Sequence, residues 1–219
     1  VTEMMESFGD QPIAKIGKAS LTEDPEVAAA RERDRLLISI KDQLNFKGDY
    51  DAFNKWREAL EHLNILVLQT RIPPEEARGF SLLNHLLPTI IVSISDYIRA
   101  RTFTLFHEYA HLLLGTSGIC FPHEAPQEDA DKHEIERFCD HFAGALLVPK
   151  NALLQDDNVK QLIRRTNSVD EYLLYDIAGH FKVSKAVILR RLLYCKLITR
   201  DQYKGELIDL QARKRVKRK

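Results

Sequence analysis

The segment TFTLFHEYAHLLLG, residues 102–115, carries two histidines and a glutamate at a spacing that suits metal-assisted hydrolysis. On a helix, His107 and His111 lie one turn apart on the same face, close enough to bind one cation through two imidazole nitrogens. Glu108 projects beside them, where it can take a proton from a water that the cation has acidified. The pattern therefore predicts a metal centre with His107 and His111 as ligands and Glu108 as the general base.

A catalytic zinc usually has three protein ligands and keeps one position open, so a third ligand must come from elsewhere in the chain. The segment HEIERFCDHFAGALLVP offers five candidates, His133, Glu134, Glu136, Asp140 and His141. Glu136 and Asp140 are four residues apart and share a helix face. One carboxylate can bind the metal while the other accepts the distal N–H of a ligand histidine. His133 lies on the Glu136 face one turn earlier and is a runner-up ligand or a substrate contact.

The helices that must carry these groups are predicted from hydrophobic periodicity. Apolar residues from 100 to 114 form one broad face, and Gly115 suits the C-terminal end of that helix. A second long helix is predicted from about residue 128 to 147, ending before Pro149. Glycine and proline interrupt the segment between the two helices, GTSGICFPHEAPQ, which is predicted to be a loop.

Upstream of the motif, the sequence predicts two more helices and a small sheet. Asp24 is placed to cap a helix that begins at Pro25. The apolar residues spaced to form one face of a second helix are Phe53, Trp56, Leu60 and Leu63. The aliphatic segments ILVLQT and PTIIVSIS predict strands, and RGFSLL between them is a candidate third strand.

The C-terminal segment DIAGHFKVSKAVILRRLLYCKLITRDQY predicts a helix, a short turn at HFKVS, and a second helix with Arg190 and Arg191 exposed. Residues 160–219 hold 16 basic and 6 acidic side chains, although the whole chain has 32 of each. Two interpretations are open: basic side chains contact DNA phosphates, or the helices pack on the rest of the protein and dock a partner. The apolar residues that favour packing are Ile177, Val183, Val187, Leu189 and Leu192.

Composition limits the class of protein. With 44% hydrophobic and 29% charged residues among 219, extensive disorder is excluded. No apolar run approaches the roughly 20 residues of a membrane span, and the acidic N-terminal residues do not suit a secretory signal. Cys120, Cys139 and Cys195 lack CxxC spacing and are expected to be buried thiols in a reducing compartment. The expected location is cytoplasmic, with no membrane partner.

Four segments, in this order and spacing, resemble the ImmA/IrrE family of bacterial metallopeptidases: RGFSLL, PTIIVSIS, RTFTLFHEYAHLLLG and EIERFCDHFAGALLVP. The resemblance covers about residues 50–150. It implies that His107, His111 and Glu136 are metal ligands and that Glu108 is the general base and acid. With Glu136 as the ligand, Asp140 is the carboxylate left to accept the N–H of a ligand histidine.

The resemblance also implies an α+β fold. A mostly helical, zincin-like metallopeptidase domain with a small β-sheet is expected over residues 46–160. An N-terminal helical arm (1–45) precedes it, and a helical, helix-turn-helix-like segment with a basic tail (161–219) follows. One departure from the family is Ser93, where many members carry Asn near the end of the strand.

The implied cofactor is Zn²⁺, with Mn²⁺ as an alternative. The implied substrate is a helix-turn-helix transcriptional repressor, cleaved at one or a few sites to relieve repression of a mobile element, prophage or stress response. The candidate contacts to the substrate or to the oxyanion are His123 and His133. DNA contact through the C-terminal segment is a further expectation.

A function from a different class is a non-catalytic regulator or antirepressor that binds the repressor or DNA and whose metal is structural. The complete HExxH motif favours the peptidase, because a structural metal site has no need of Glu108. A Glu108→Gln variant separates the two functions, since only a peptidase loses its activity through that change.

Overall fold

The structure, a computed structural model, describes residues 14–73, 76–84, 87–120, 130–164 and 169–217. As the sequence predicts, the fold is α+β and mostly helical, with a small sheet. Within the described part of the chain, none of the helices has both the length and the apolarity required to cross a membrane.

In the described residues from Ala14 onward, three helices precede the sheet: α1 (Pro25–Arg35), α2 (Ile40–Leu44) and α3 (Asp49–Glu61). The Asp24 side chain accepts a hydrogen bond from the Glu26 backbone N–H, so the predicted N-cap of α1 is confirmed. The predicted apolar face of α3 is confirmed as well, since Phe53, Trp56 and Leu60 are all buried.

Within the described ranges the sheet has four strands: β1 (Leu66–Thr70), β2 (Gly79–Leu82), β3 (Thr89–Ser93) and β4 (Ile119–Cys120). Their order is β1-β3-β2-β4; β1 runs parallel to β3, and β2 is antiparallel to both β3 and β4. The three predicted strands are confirmed. The prediction that residues 115–127 form only a loop is wrong at β4, because this two-residue strand arises from backbone pairing with β2 and has no side-chain periodicity. Residues 121–127 of the predicted loop lie outside the described residues.

Two long helices, α4 (Ile98–Leu113) and α5 (Ala130–Leu147), pack against each other, and α4 also packs on β2 and β3. Because α4 lies between α5 and the sheet, most of its residues from Thr102 onward are buried. Gly115 follows the C-cap with a φ of 71°, the left-handed conformation that glycine adopts without strain. Both predicted helices are confirmed to within a few residues at each end.

Five helices complete the described chain: α6 (Lys150–Gln155), α7 (Asp157–Arg164), α8 (Glu171–His180), α9 (Lys185–Tyr194) and α10 (Arg200–Lys217). The predicted helix, turn and helix correspond to α8, the turn at 181–184, and α9. Asp170 and Ser184 cap the two helices. Because α9 packs on α5, its apolar residues join the same hydrophobic core as α4 and α5.

The predicted exposure of Arg190 and Arg191 is wrong. The Arg191 side chain is 0% exposed, and its guanidinium donates hydrogen bonds to the Val148 carbonyl and the Glu26 carboxylate. Arg190 is 15% exposed and forms an ion pair with Asp140. A buried arginine with acidic partners looks the same in a sequence as an exposed one, because its partners lie far away along the chain. Contact of the C-terminal segment with DNA or a partner stays a prediction.

Side chains from distant parts of the chain donate hydrogen bonds to the backbone carbonyls at the C-terminal end of α5. A helix leaves its last carbonyl groups without partners inside the helix. Here Arg33 Nη1 donates to the Leu146 carbonyl (2.7 Å) and Gln43 Nε2 to the Leu147 carbonyl (2.9 Å). Arg191 Nε donates to the Val148 carbonyl (2.8 Å). The predicted domain boundaries at 45/46 and 160/161 stay predictions, but these contacts and the shared core cross both of them.

The cysteines follow their prediction in part. Cys139 is buried, and burial raises the pKa of its thiol. Cys195 is half-buried, so the prediction of a buried thiol is wrong there. The Cys120 side chain lies outside the described residues.

Candidate metal centre

Helix α4 presents both motif histidines on one buried face. His107 and His111 lie four residues apart, and their ring centroids are 5.1 Å from each other. Both side chains are about 3% exposed, and Glu108 is fully buried. The one-turn spacing that the sequence requires is therefore realised on a helix held between α5 and the sheet.

Glu136 on α5 faces both imidazoles. Its Oε2 lies 3.0 Å from His107 Nε2, and its Oε1 lies 3.3 Å from His111 Nε2. Potential ligand atoms of these three residues all lie within 4.8 Å of one another. Two imidazole nitrogens and one carboxylate oxygen form a donor set that zinc accepts with one position left open.

The Glu136 carboxyl is ionised at neutral pH. Burial acts to raise its pKa, but hydrogen bonds and charge interactions with His107 and His111 outweigh burial and lower the pKa to about 2. The group therefore carries a negative charge that would offset part of the charge of a bound cation.

Asp140, one turn after Glu136, reaches the other side of the His107 ring. Its Oδ1 lies 3.1 Å from His107 Nδ1. An acceptor at Nδ1 favours the tautomer with the proton on Nδ1, which leaves Nε2 able to bind a metal. Asp140 thus lies where the sequence pattern expects the acceptor of the distal N–H.

Glu108 is held by only one of its carboxylate oxygens. Ser81 Oγ donates to Glu108 Oε2 at 2.8 Å, whereas Oε1 has no hydrogen-bond partner among the described residues. Burial raises the pKa of Glu108, while the nearby His107 and His111 act to lower it. A buried carboxylate oxygen without a partner requires an explanation, and a water to be deprotonated supplies one.

The sequence interpretation missed two residues, Ser81 and Gly118. Gly118 N–H donates to Ser81 Oγ (3.2 Å), and Ser81 N–H donates to the Gly118 carbonyl (3.0 Å). A Cβ at Gly118 would lie 2.3 Å from His111 Cδ2, so only glycine lets this loop approach the ring. One sequence feature could have pointed to Ser81: in β2 the alternating buried positions are Gly79 and Ser81 instead of large apolar residues.

Among the described residues, the other candidates on α5 are not part of this group of potential ligands. His133 and Glu134 are exposed on α5, and His141 Nε2 lies 2.8 Å from Glu26 Oε1. His123 lies outside the described residues. Tyr109, between the two histidines, is buried in the core and donates a hydrogen bond to the buried Glu32 carboxylate at 2.7 Å.

The family model described as Peptidase_M78, IrrE N-terminal-like domain, matches residues 60–193. The chain belongs to this family. The Peptidase_M78 match includes the sheet, both long helices and the first two helices of the predicted C-terminal unit, α8 and α9. Among curated proteins, no relative matches the sequence. Membership supports a function of the metallopeptidase type and confirms the ImmA/IrrE resemblance.

The residues of this Peptidase_M78 domain fit a divalent cation. His107, His111 and Glu136 would hold it, and it would supply Lewis acidity and acidify a bound water. The partnerless Glu108 Oε1 lies on the residue next to His107, on the same buried helix. Metal binding, the identity of the metal and the catalytic role of Glu108 stay predictions.

Proposed function

We propose that this chain is a metal-dependent endopeptidase. The observation that carries the proposal is the convergence of His107, His111 and Glu136 beside a buried Glu108 that has one carboxylate oxygen held and the other without a partner. A structural metal site needs ligands alone, whereas hydrolysis also needs a base.

Each residue of the site has a separate role in hydrolysis. Glu108 accepts a proton from the attacking water at Oε1 and passes it to the nitrogen of the leaving amine as the peptide C–N bond breaks. Ser81 holds Glu108 Oε2 so that the carboxylate does not rotate. Asp140 holds the His107 ring through Nδ1. Zn²⁺ or Mn²⁺ bound at the site would polarise the substrate carbonyl and acidify the water.

The substrate that we propose is a helix-turn-helix transcriptional repressor, cleaved at one or a few sites so that repression of a mobile element, prophage or stress response is relieved. This part of the proposal is supported by the resemblance to ImmA/IrrE proteins. Helix α9 packs on α5, and α8 packs on α9. We propose these two helices as the surface on which such a partner docks.

The experiment that tests the proposal is a mass-spectrometric survey of new protein N-termini in cells expressing the chain or its Glu108→Gln variant. New N-termini confined to one helix-turn-helix regulator, and absent from the variant, are expected. Glu58→Gln on the exposed side of α3 makes the same chemical change away from the site and should retain cleavage.

The survey is combined with zinc content and thermal unfolding of each purified variant. A Glu108→Gln protein that is folded and zinc-loaded, but yields the same N-termini as the wild type, would contradict the peptidase. The non-catalytic regulator with a structural metal would then be the better function.

A further inference from the structure

A side chain of the C-terminal helices reaches the metal centre. Arg190 on α9 lies with its Nη1 3.1 Å from Asp140 Oδ1, and the same Oδ1 lies 3.1 Å from His107 Nδ1. A continuous contact therefore runs from α9 through α5 to α4. The Arg190 and Asp140 side chains are only 15% and 20% exposed, so solvent screens their interaction weakly.

The Arg190 guanidinium is also held by an aromatic ring. Its Cζ lies 5.1 Å from the centroid of the Phe103 ring, a distance typical of a cation–π contact. Phe103 precedes His107 by one turn of α4, and their ring centroids are 6.3 Å apart. The planar guanidinium is thus fixed by a carboxylate and an aromatic face, a combination that lysine would not reproduce.

We infer that Arg190 is a positioning residue of the metal centre. It orients the Asp140 carboxylate, and Asp140 in turn orients the His107 ring so that Nε2 points toward Glu136. The inference rests on the proposed function in that it takes the His107, His111 and Glu136 group as a metal site. Arg191, the next residue, has a different task, since it binds Glu26 and the Val148 carbonyl.

The physical reason is the control of a ligand by its hydrogen-bond partner. An imidazole that binds a metal through Nε2 needs an acceptor at Nδ1, and that acceptor must itself be held in place. Without Arg190, the half-buried Asp140 carboxylate would lose one of the groups that hold it, and its orientation toward His107 Nδ1 would be less restricted. Loss of such an outer partner typically weakens metal binding by roughly 10- to 100-fold.

The test measures zinc affinity by competition with a chromophoric chelator. Arg190→Gln should weaken zinc binding by about tenfold, and Arg190→Lys should recover part of the loss because the charge remains. The matched control is Arg99→Gln at the start of α4, two turns before His107. It removes an ion pair with Asp49 of α3 (2.9 Å) and a hydrogen bond to the Val183 carbonyl (3.2 Å), so it also tests whether loosening the turn before α9 is enough to weaken zinc binding. Arg99→Gln should bind zinc with wild-type affinity.

A double-mutant cycle checks that Arg190 acts through Asp140. Asp140→Asn alone should also weaken zinc binding, and adding Arg190→Gln to it should change the affinity by less than about twofold. Wild-type affinity in Arg190→Gln, or effects of the two changes that multiply, would overturn the inference. Thermal unfolding of the zinc-free proteins separates loss of fold from loss of affinity, and Arg190→Lys serves if Arg190→Gln does not fold.

Different experimental results would contradict the inference and the proposed function. A wild-type chain that binds no zinc overturns both. If the zinc affinities follow the expected order but no substrate is cut, the positioning role stands and the peptidase does not.

Discussion

Ser81 Oγ donates a hydrogen bond of 2.8 Å to Glu108 Oε2, and thereby joins the second strand of the sheet to the candidate general base. The same hydroxyl accepts a hydrogen bond from Gly118 N–H, so one buried side chain holds both the base and the loop beside His111. A base that is fixed before substrate binds does not have to be oriented during the reaction. Ser81 is therefore a testable element of the site.

Ser81→Ala should lower kcat by about 10- to 100-fold, because a hydrogen bond to a charged group contributes about 1.5–3 kcal/mol. Zinc affinity should fall less than in Gly118→Ala, since Ser81 Oγ bonds Glu108 and Gly118, neither of which is a candidate ligand. The matched control is Ser93→Ala on the neighbouring strand, where Ser93 Oγ donates to the Ile72 carbonyl at 2.8 Å. Equal losses of kcat in the two variants would mean that Ser81 only stabilises the sheet and does not orient Glu108.

Gly118→Ala should weaken zinc binding by at least about tenfold, because the new Cβ would lie 2.3 Å from His111 Cδ2 and must displace either the ring or the loop. The glycine control is Gly179→Ala in α8, where an added Cβ meets nothing within 4 Å. That control should bind zinc normally and be more stable by about 0.5–1 kcal/mol. Unchanged zinc affinity in Gly118→Ala would contradict the proposed placement of the loop.

Arg191→Gln should lower the free energy of unfolding by about 3 kcal/mol, because the buried Val148 carbonyl and the Glu26 carboxylate both lose the arginine as donor, although Glu26 keeps its contact with His141. Urea denaturation of the zinc-free protein measures the change. Arg137→Gln, which removes an arginine that is 72% exposed, should change stability by less than about 0.5 kcal/mol. Similar changes in the free energy of unfolding for both variants would mean that the Arg191 contacts at the end of α5 contribute little to stability.

Glu26 should make stability depend on acid pH. Burial acts to raise its pKa, but hydrogen bonds from His141 and Arg191 and their charges lower it to about 2, below the ordinary 4.5. Its contribution, on the order of 2 kcal/mol after allowance for its partial exposure, is complete above pH ~4.5 and is lost as the pH falls toward 2.

The free energy of unfolding of the wild type should therefore exceed that of Glu26→Gln at pH 6, and the difference should shrink below pH 4.5. Urea titrations of both zinc-free proteins at pH 6, 5, 4 and 3.5 measure it. A difference that stays constant over this range would show that Glu26 keeps an ordinary pKa.

The local features of this protein follow from its sequence. The spacing of His107 and His111 on one helix face, and of Glu136 and Asp140 on another, is a consequence of 3.6 residues per turn and needs no tertiary information. The Asp24 cap, the glycine after α4 and the three longer strands are likewise determined by residues close in sequence. These patterns predicted the helices, the strands and the candidate ligands, whereas the α+β fold class and the choice of Glu136 as the third ligand came from the resemblance to the ImmA/IrrE family.

Only the tertiary structure decided what each face meets. The contacts of Ser81 with Glu108, of Gly118 with His111 and of Arg190 with Asp140 join different elements, and no local period relates their positions. For the same reason, the burial of Arg190 and Arg191 could not be read from their helix, because a buried arginine needs partners from elsewhere in the chain. Helix periodicity determines which side chains share a face, whereas packing determines whether that face contacts solvent, the hydrophobic core or a charged partner.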